Sequence, residues 1–416
     1  MPPLTTLFLL AVLTGTVTRL WLANRQIAAV TRHRAEVPEP FAQAISPADH
    51  HKAADYAAAR TRLGRIDTVL DALVLLGLTV GGGITALDQW SLRLALAEPW
   101  HGALVIMVVL LLVSLIGLPL SLWSTFRLEA RFGFNRTTPG LFFIDRLKGL
   151  ALAVVIGGPL LLAALELMGR AGALWWLYVW ALWLGVSLLM TWAWPALIAP
   201  LFNRFSPLTD ETLRTRIETL LERCGFASRG VFVIDGSRRS AHGNAYFTGV
   251  GRNKRIVFFD TLISTLEPGE IEAVLAHELG HFKLHHIRRR LVVSAALALA
   301  GLALLGWLAA RPWFYQGLGL TGASDYGALL LFMFVAPAFT FFVTPLAARW
   351  SRQDEFAADA FAAQYTPAAA LRAALVKLYR DNATTLTPDP VHSRFYDSHP
   401  PALARIARLR ELAPGP

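Results

Sequence analysis

Two histidines and a glutamate in the stretch VLAHELGHFKLHH, which begins at Val274, have the types and spacing of a metal-dependent hydrolytic site. His277 and His281 are four residues apart, so on a helix both imidazoles project from one face and can share a metal ion. Glu278 lies about 100° around the helix from His277, where its carboxylate can reach a water molecule beside the metal. Zinc is the metal typical of this pattern, because it lowers the pKa of a water ligand to about 7.

A site of this kind requires a third protein ligand, and the stretch RQDEFAADAFA offers carboxylates for it. Glu355 and Asp359 are again four residues apart on one helical face. Glu355 could complete the ligand set, with Asp359 accepting a hydrogen bond that orients a ligand histidine. Asp354 is the competing ligand because it is adjacent. Taken alone, an acidic cluster beside a membrane span is more often a solvated face.

The composition is that of an integral membrane protein. Hydrophobic residues make up 55% of the chain and charged residues 16%, with a mean hydropathy of +0.46. This excludes a soluble nucleic-acid-binding protein, although the net charge of +10 would suit an anionic partner. Seven stretches have the length of about 20 residues that crosses a bilayer core as a helix. They are residues 4–24, 66–87, 102–124, 148–168, 174–199, 291–310 and 327–349.

The distribution of basic residues predicts the orientation of these spans. The segments after the first and third spans are rich in arginine and lysine, whereas those after the second, fourth and sixth hold Arg93, Arg170 and Arg311. We therefore expect the N-terminus outside and the C-terminus in the cytoplasm. The preference for arginine over lysine, with many alanines, indicates a bacterial inner-membrane protein. Its basic face would meet membrane lipid and not nucleic acid.

The sequence divides into four predicted parts. Residues 1–199 form a membrane section of five spans, 200–290 a metalloprotease domain, 291–349 the last two spans, and 350–416 the rest of that domain. The fold class is therefore mainly α, with seven membrane helices and a small β-hairpin.

Local patterns predict the elements around the histidines. Residues 208–226 form an amphipathic helix, GVFVIDG a strand, and NAYFTG and KRIVFFD a hairpin joined by VGRN. The histidine helix is expected to begin near Glu270 and to continue unbroken into the sixth span. The last helix is expected to start at Ser398 as its N-cap. His285 and His286 are expected at the membrane interface.

The stretches AHELGHFKLHH and DEFAADAFA resemble those of the type I CAAX prenyl proteases, a family of integral-membrane zinc proteases. Four further blocks are similar in the same order: RFGFNRTTP, APLFNRFSPL, AHGNAYFTGVGRNKRIVFFDTL and DSHPPALARI. The resemblance implies seven helices that enclose a water-filled chamber, capped by the catalytic domain. Asp71 and Glu166 could line that chamber; alternatively, Glu166 lies at a span end.

The resemblance also implies roles for individual residues. They are one zinc ion per chain bound by His277, His281 and Glu355; Glu278 as general base; Asp359 as a supporting residue; Asn244, Ala245 and Tyr246 beside the substrate; and His399 and Arg405 near the scissile bond. Without the resemblance, Asn244 is equally a turn residue, His399 part of a helix start and Arg405 a solvent-exposed helix residue.

We therefore expect a monomeric zinc endopeptidase acting on membrane-associated proteins or peptides, with prenylated CAAX-type substrates among the candidates. Because bacteria generally lack protein prenylation, the alternative is a quality-control protease of the heat-shock type, which has fewer spans. A transporter or scaffold with structural zinc is a weaker alternative, because such sites close the fourth position with Cys or His.

Overall fold

The structure, a computed structural model, describes residues 2–226, 230–248 and 255–412. Within these ranges the chain is mainly helical with one four-stranded sheet, which confirms the fold class. The α-helices are α1 Pro3–Arg32, α2 Pro47–Leu78, α3 Gly83–Ser91, α4 Trp100–Trp123, α5 Pro139–Leu152, α6 Gly158–Arg170, α7 Trp175–Ala193, α8 Ala199–Phe202, α9 Glu211–Arg223, α10 Asp260–Ile263, α11 Pro268–Lys283, α12 His286–Ala309, α13 Pro312–Gly317, α14 Asp325–Thr340, α15 Thr344–Tyr365, α16 Ala368–Asp381, α17 Pro390–Tyr396 and α18 Ala402–Leu412.

Six helical stretches in the described ranges are long and apolar enough to cross a membrane, and the bent pair of α2 and α3 makes up to seven. The six are Pro3–Arg32, Trp100–Glu129, Pro139–Arg170, Gly172–Phe202, His286–Ala309 and Asp325–Tyr365. The predicted spans fall on these helices. The pair α2 and α3 is bent by 53° at a glycine-rich break, where Gly82 has a φ of 78° that favours glycine.

The apolar faces of the spans are largely uncovered by protein. Only 6% of the most apolar window of Pro139–Arg170 is buried, and the same fraction holds for His286–Ala309. Apolar surface of this extent requires a hydrocarbon environment. The structure therefore supports an integral multi-pass membrane protein.

The sheet belongs to the polar part of the chain. Its strands are β1 Phe205–Pro207, β2 Val231–Ile234, β3 Ala245–Thr248 and β4 Arg255–Phe259, in the order β1-β2-β4-β3. Strands β3 and β4 pair antiparallel, as the hairpin prediction requires, while the predicted VGRN connection lies outside the described residues. Strand β1 was not predicted, because a three-residue strand carries no periodicity. The order leaves β3 at one edge of the sheet.

The polar domain is built around α11. Its buried face, with Ile271, Leu275 and Leu279, joins residues of α9, β4, α16 and α18 in one hydrophobic core. Helix α15 extends from the seventh span into this domain and packs along α11. Two helices that start in different parts of the sequence thus lie side by side at the end of the membrane section.

Two predicted helix boundaries were wrong. The histidine helix ends at Lys283, and His285 has a φ of 59° before α12 begins at His286. This left-handed residue lets α12 leave α11 in a new direction. The sequence has no glycine or proline at this point that would predict the break. The last helix begins at Ala402, and Ser398 makes a hydrogen bond to His399 instead of capping it.

The two acidic residues considered for a chamber line different cavities. Asp71 lines one of about 240 Å³ between α1, α2 and α14, which also contacts Arg19. Glu166 lines another of about 440 Å³ together with Glu98 and Asp325. Glu166 forms an ion pair with Arg170 at 2.7 Å near the end of α6. Glu166 therefore matches the alternative location at a span end.

Candidate metal centre

Helix α11 starts with reciprocal hydrogen bonds that fix its first turn. The Glu267 side chain accepts from the Glu270 backbone, and the Glu270 carboxylate accepts from the Glu267 N–H at 2.8 Å. Such a capping box satisfies two backbone donors that a helix start otherwise leaves unpaired. The register set here turns His277 and His281 toward α15.

Three candidate ligand groups converge between α11 and α15. The Nε2 atoms of His277 and His281 are 3.3 Å apart. His277 Nε2 lies 3.5 Å from Glu355 Oε2, and His281 Nε2 lies 3.2 Å from Glu355 Oε1. One ligand atom from each of the three residues lies within 4.8 Å of the others.

These separations fit a zinc-sized ion. With metal–ligand bonds of about 2.0–2.1 Å, ligand atoms around a tetrahedral zinc lie about 3.3 Å apart. Glu355 is only 4% exposed, and its Oε2 accepts no hydrogen bond from any residue the structure describes. Arg405 Nη1 lies 3.7 Å from this oxygen, beyond hydrogen-bond distance, so a metal ion would supply the close partner that a buried carboxylate oxygen requires. Two imidazoles and one carboxylate are also the donor set of a catalytic zinc site with a fourth position open.

The second nitrogen of His277 is held by a buried ion pair. Asp359 Oδ1 lies 2.8 Å from His277 Nδ1, and Asp359 also accepts hydrogen bonds from Arg405 at 2.8 and 2.7 Å. Burial and Arg405 lower the pKa of His277, but the carboxylates of Asp359 and Glu355 outweigh them and raise it. Burial likewise opposes the charge of Arg405, whose pKa is nevertheless raised by Asp359.

An open cavity of about 310 Å³ leads to these ligands. Glu278 lines it beside His277 and His281, and burial of its carboxylate raises its pKa despite the two nearby histidines. Tyr246 of the edge strand β3 and His399 line the cavity from other sides. The side chain of His399 is 65% exposed, and its Nε2 lies 3.5 Å from Glu355 Oε1. The cavity thus joins a metal-ligand group to a carboxylate that can accept a proton.

Comparison with known proteins identifies the family. Residues 26–204 match the family described as "CAAX prenyl protease N-terminal, five membrane helices", and residues 207–413 match "Peptidase family M48". A "CAAX prenyl protease 1 homolog" of Arabidopsis thaliana is 40% identical over 295 residues, which cover 70% of this chain and 69% of the relative. The chain belongs to the CAAX prenyl protease 1 family. It is accordingly an integral-membrane metalloendopeptidase that acts on peptides or proteins.

Two further comparisons extend over nearly the whole chain. The CAAX prenyl protease 1 homolog of Caenorhabditis elegans is 31% identical over 401 residues, covering 90% of both chains. The crystal structure of S. mikatae Ste24p has a TM-score of 0.89 and 29% identity, and the match covers 98% of this chain and 99% of that one. The CAAX prenyl protease fold therefore spans both the membrane helices and the polar domain.

Among the described residues, four of the predicted site residues do not line the cavity: Asn244, Ala245, Asp359 and Arg405. Arg405 is 6% exposed and lies behind the ligands, with Nη2 3.1 Å from His277 Nδ1, so it is not the solvent-exposed residue that the sequence alone suggests. The exposed Asn244 uses its side-chain oxygen to accept from the backbone N–H of Ala245 at 2.8 Å. Arg405 thus contacts His277 directly, from behind the ligand group, whereas Asn244 contacts Ala245 of the edge strand.

Sequence reasoning missed the role of His286. This residue is buried, with its Nδ1 3.0 Å from His281 Nδ1 and its Nε2 3.7 Å from Asp354. Asp354 also forms ion pairs with Arg289 and Arg290, so it is outside the ligand group that its position in the sequence had suggested. The signal available was the second histidine of KLHH, but its placement depends on the helix break at His285.

Proposed function

We propose that this metalloendopeptidase binds one zinc ion per chain through His277, His281 and Glu355 and cleaves membrane-associated substrates at the cytoplasmic face. The observation that carries the proposal is the convergence of three ligand groups around a buried carboxylate oxygen with no hydrogen-bond donor. Bound there, zinc would supply Lewis-acid activation of water and of the substrate carbonyl.

Glu278 is the general base in this proposal. Glu278 lines the same cavity as the ligands but projects from α11 at a different angle. Its carboxylate therefore reaches the cavity without joining the ligand group. The raised pKa of Glu278 lies closer to neutral pH than the pKa of an exposed glutamate does. This suits a group that gains and loses a proton in each cycle. Its carboxylate accepts the proton of the attacking water and returns it to the nitrogen of the leaving amine.

His399 and Arg405 have different roles in the proposal. The exposed imidazole of His399 faces the cavity, where its N–H can donate to the oxyanion that forms at the scissile carbonyl. Arg405 is buried and paired with Asp359, which contacts His277. Arg405 and Asp359 therefore act as positioning residues that hold the imidazole of His277.

The edge strand β3 is the proposed substrate cradle. Its residues Ala245 and Tyr246 pair with β4 on one side, and Tyr246 also lines the cavity beside the ligands. An extended peptide could add to the other side of β3, with alternate side chains entering pockets. Asn244 would fix the start of that strand through its contact with Ala245.

The substrate class follows from the relatives, whose names are those of CAAX prenyl proteases. We propose that a prenylated CAAX-type peptide is a substrate, and that membrane-associated proteins without a lipid are the alternative if the chain comes from a bacterium. The proposed setting is a bacterial inner membrane, with the N-terminus outside, the site in the cytoplasm, lipid around the spans and a monomeric chain.

The test combines metal content with cleavage of a farnesylated CAAX peptide. The purified wild type, Glu278→Gln and the control Glu272→Gln are compared, because Glu272 lies on the same helix but pairs with Arg216 at its outer face. We expect about one zinc per chain in all three proteins and loss of cleavage in E278Q alone. Equal cleavage by E278Q would refute the mechanism.

The substrate proposal is judged separately. If the wild type binds zinc and cleaves an unmodified membrane protein but leaves the farnesylated peptide intact, the CAAX-type substrate is rejected and the quality-control function is favoured. Absence of zinc from the wild type would refute the ligand assignment.

A further inference from the structure

A second cavity, of about 730 Å³, lies away from the metal centre between α2 and the residues that follow α4. Three arginines line it together with apolar side chains: Arg62, Arg127, Arg131, Ile66, Trp123 and Phe126. It lies on the same side of the membrane as the metal centre, because Glu129, two residues beyond Arg127, contacts His242 of the polar domain at 3.7 Å.

All three arginines are exposed, and none forms an ion pair with a carboxylate in the described part of the chain. Asp55, whose pKa is lowered mainly by its hydrogen bond to Arg34, also lies within the electrostatic range of Arg131. Two nearby arginines are paired, since Arg34 binds Asp55 and Arg239 binds Asp145. Three guanidinium groups that line one cavity without an ion pair of their own favour an anion there.

The apolar and charged groups are ordered along the membrane normal. On α2, Ile66 lies one turn closer to the membrane than Arg62, and on α4 and its extension Trp123 lies one turn closer than Arg127. One turn is about 5–6 Å. Ile66 and Trp123 are 58% and 59% exposed, so the membrane-facing lip of the cavity is apolar. A tryptophan followed by arginine is typical of the level of the lipid headgroups.

We propose that this cavity binds an anionic phospholipid of the phosphatidylglycerol class. The phosphate lies among Arg62, Arg127 and Arg131, and the upper acyl chains contact Ile66 and Trp123. A free phosphate ion would match the guanidinium groups but leave the apolar lip exposed, so the combination favours a lipid. The inference is independent of the proposed proteolysis.

The cavity adjoins the contact between the membrane section and the polar domain. Its inner wall includes Leu128 and Phe132, which belong to a small hydrophobic cluster with Tyr56 and Phe134. Tyr56 donates to Glu129 at 2.7 Å, and Phe134 stacks on His242 with ring centroids 4.3 Å apart. A bound lipid would therefore join α2 to the segment that carries these contacts.

The experiment measures lipid binding by native mass spectrometry. The purified chain in detergent is titrated with phosphatidylglycerol and with phosphatidylcholine, and the wild type is compared with Arg62→Gln/Arg127→Gln/Arg131→Gln. The control is Arg32→Gln/Arg238→Gln/Arg288→Gln, which removes equal charge at exposed arginines outside the cavity. Single Arg127→Gln is measured as well, so that a folding defect of the triple variant does not decide the result.

We expect the wild type and the control to prefer phosphatidylglycerol. The cavity triple variant should lose affinity for it by roughly 100-fold, and R127Q by about five-fold, because each basic residue near an anionic surface contributes about five-fold. Phosphatidylcholine binding should stay unchanged. Equal loss in the cavity and control variants would overturn the proposal, as would displacement of the lipid by inorganic phosphate.

Discussion

The Nδ1 atoms of His281 and His286 lie 3.0 Å apart, although a helix break separates the two residues. The left-handed backbone of His285 turns α12 so that His286 packs against the side of His281 that faces away from Glu355. If His281 uses Nε2 as a metal ligand, its Nδ1–H donates to His286, and the Nε2–H of His286 faces Asp354. The protein thereby fixes the tautomer and orientation of a ligand.

Replacement of His286 should weaken metal binding. His286→Phe keeps a ring but removes the acceptor for His281, and losses at such supporting positions are about 10–100-fold in metal affinity. Zinc affinity is measured by chelator competition on the purified chain. His285→Asn is the matched control, because His285 is exposed and asparagine tolerates its left-handed backbone. Equal affinity of H286F and H285N would exclude the supporting role.

Removal of the Asp359 charge should destabilise the polar domain. Asp359→Asn removes the closer of two carboxylates beside the buried Arg405 and leaves Glu355 at 3.7 Å, and breaking a buried pair costs about 3–5 kcal/mol. The double variant Asp359→Leu/Arg405→Met removes both charges and should recover much of this loss. Thermal unfolding in detergent, followed with the metal removed, separates stability from zinc binding. A double variant less stable than D359N would contradict this account.

Zinc affinity should fall as the pH decreases. A ligand imidazole must be neutral, and the pKa of His277 is raised by Asp359 and Glu355, so the metal-free site keeps this proton to a higher pH than a free histidine does. Below that pKa the apparent affinity should drop about ten-fold per pH unit for each displaced proton. Competition titrations from pH 6 to 8 check this. A flat profile would show that His277 binds no proton in the metal-free protein.

The sequence predicted the parts of this protein that depend on local patterns. Hydropathy located the spans, and the spacing of His277 and His281 located α11, because the period of a helix determines which sequence positions share a face. The bend at His285 was not predictable, since a non-glycine residue in the left-handed region is uncommon and is held there by tertiary contacts.

The same limit applies to the surroundings of the ligands. Glu355 was one of two neighbouring carboxylates in the sequence, and only the packing of α15 against α11 distinguishes it from Asp354. The burial of Arg405 likewise depends on how α18 packs on α15 and α16. Contacts between elements far apart in the chain have no local signature, so these roles came from resemblance and not from spacing.

Gly280 sets the distance between the two helices that carry the ligand groups. A methyl group added at this position would lie 3.0 Å from the Cα of Ala358 and 3.2 Å from its carbonyl oxygen. Both are backbone atoms of α15, so they cannot move away as the end of a flexible side chain can. Ala358 is three residues from Glu355, whose carboxylate must lie within a few ångströms of His277 and His281.

Gly280→Ala should therefore separate α11 from α15 and weaken both stability and zinc binding. Overpacking of this kind costs about 1–3 kcal/mol, and the shift would move Glu355 away from the histidines. Gly64→Ala is the control, because no described atom lies within 4 Å of the added group on α2 and alanine favours a helix by about 1 kcal/mol. Thermal unfolding and chelator competition are measured for both variants. If G280A binds zinc as tightly as G64A, the spacing of the two helices does not limit the metal site, and the tolerance must come from a rotation of Glu355.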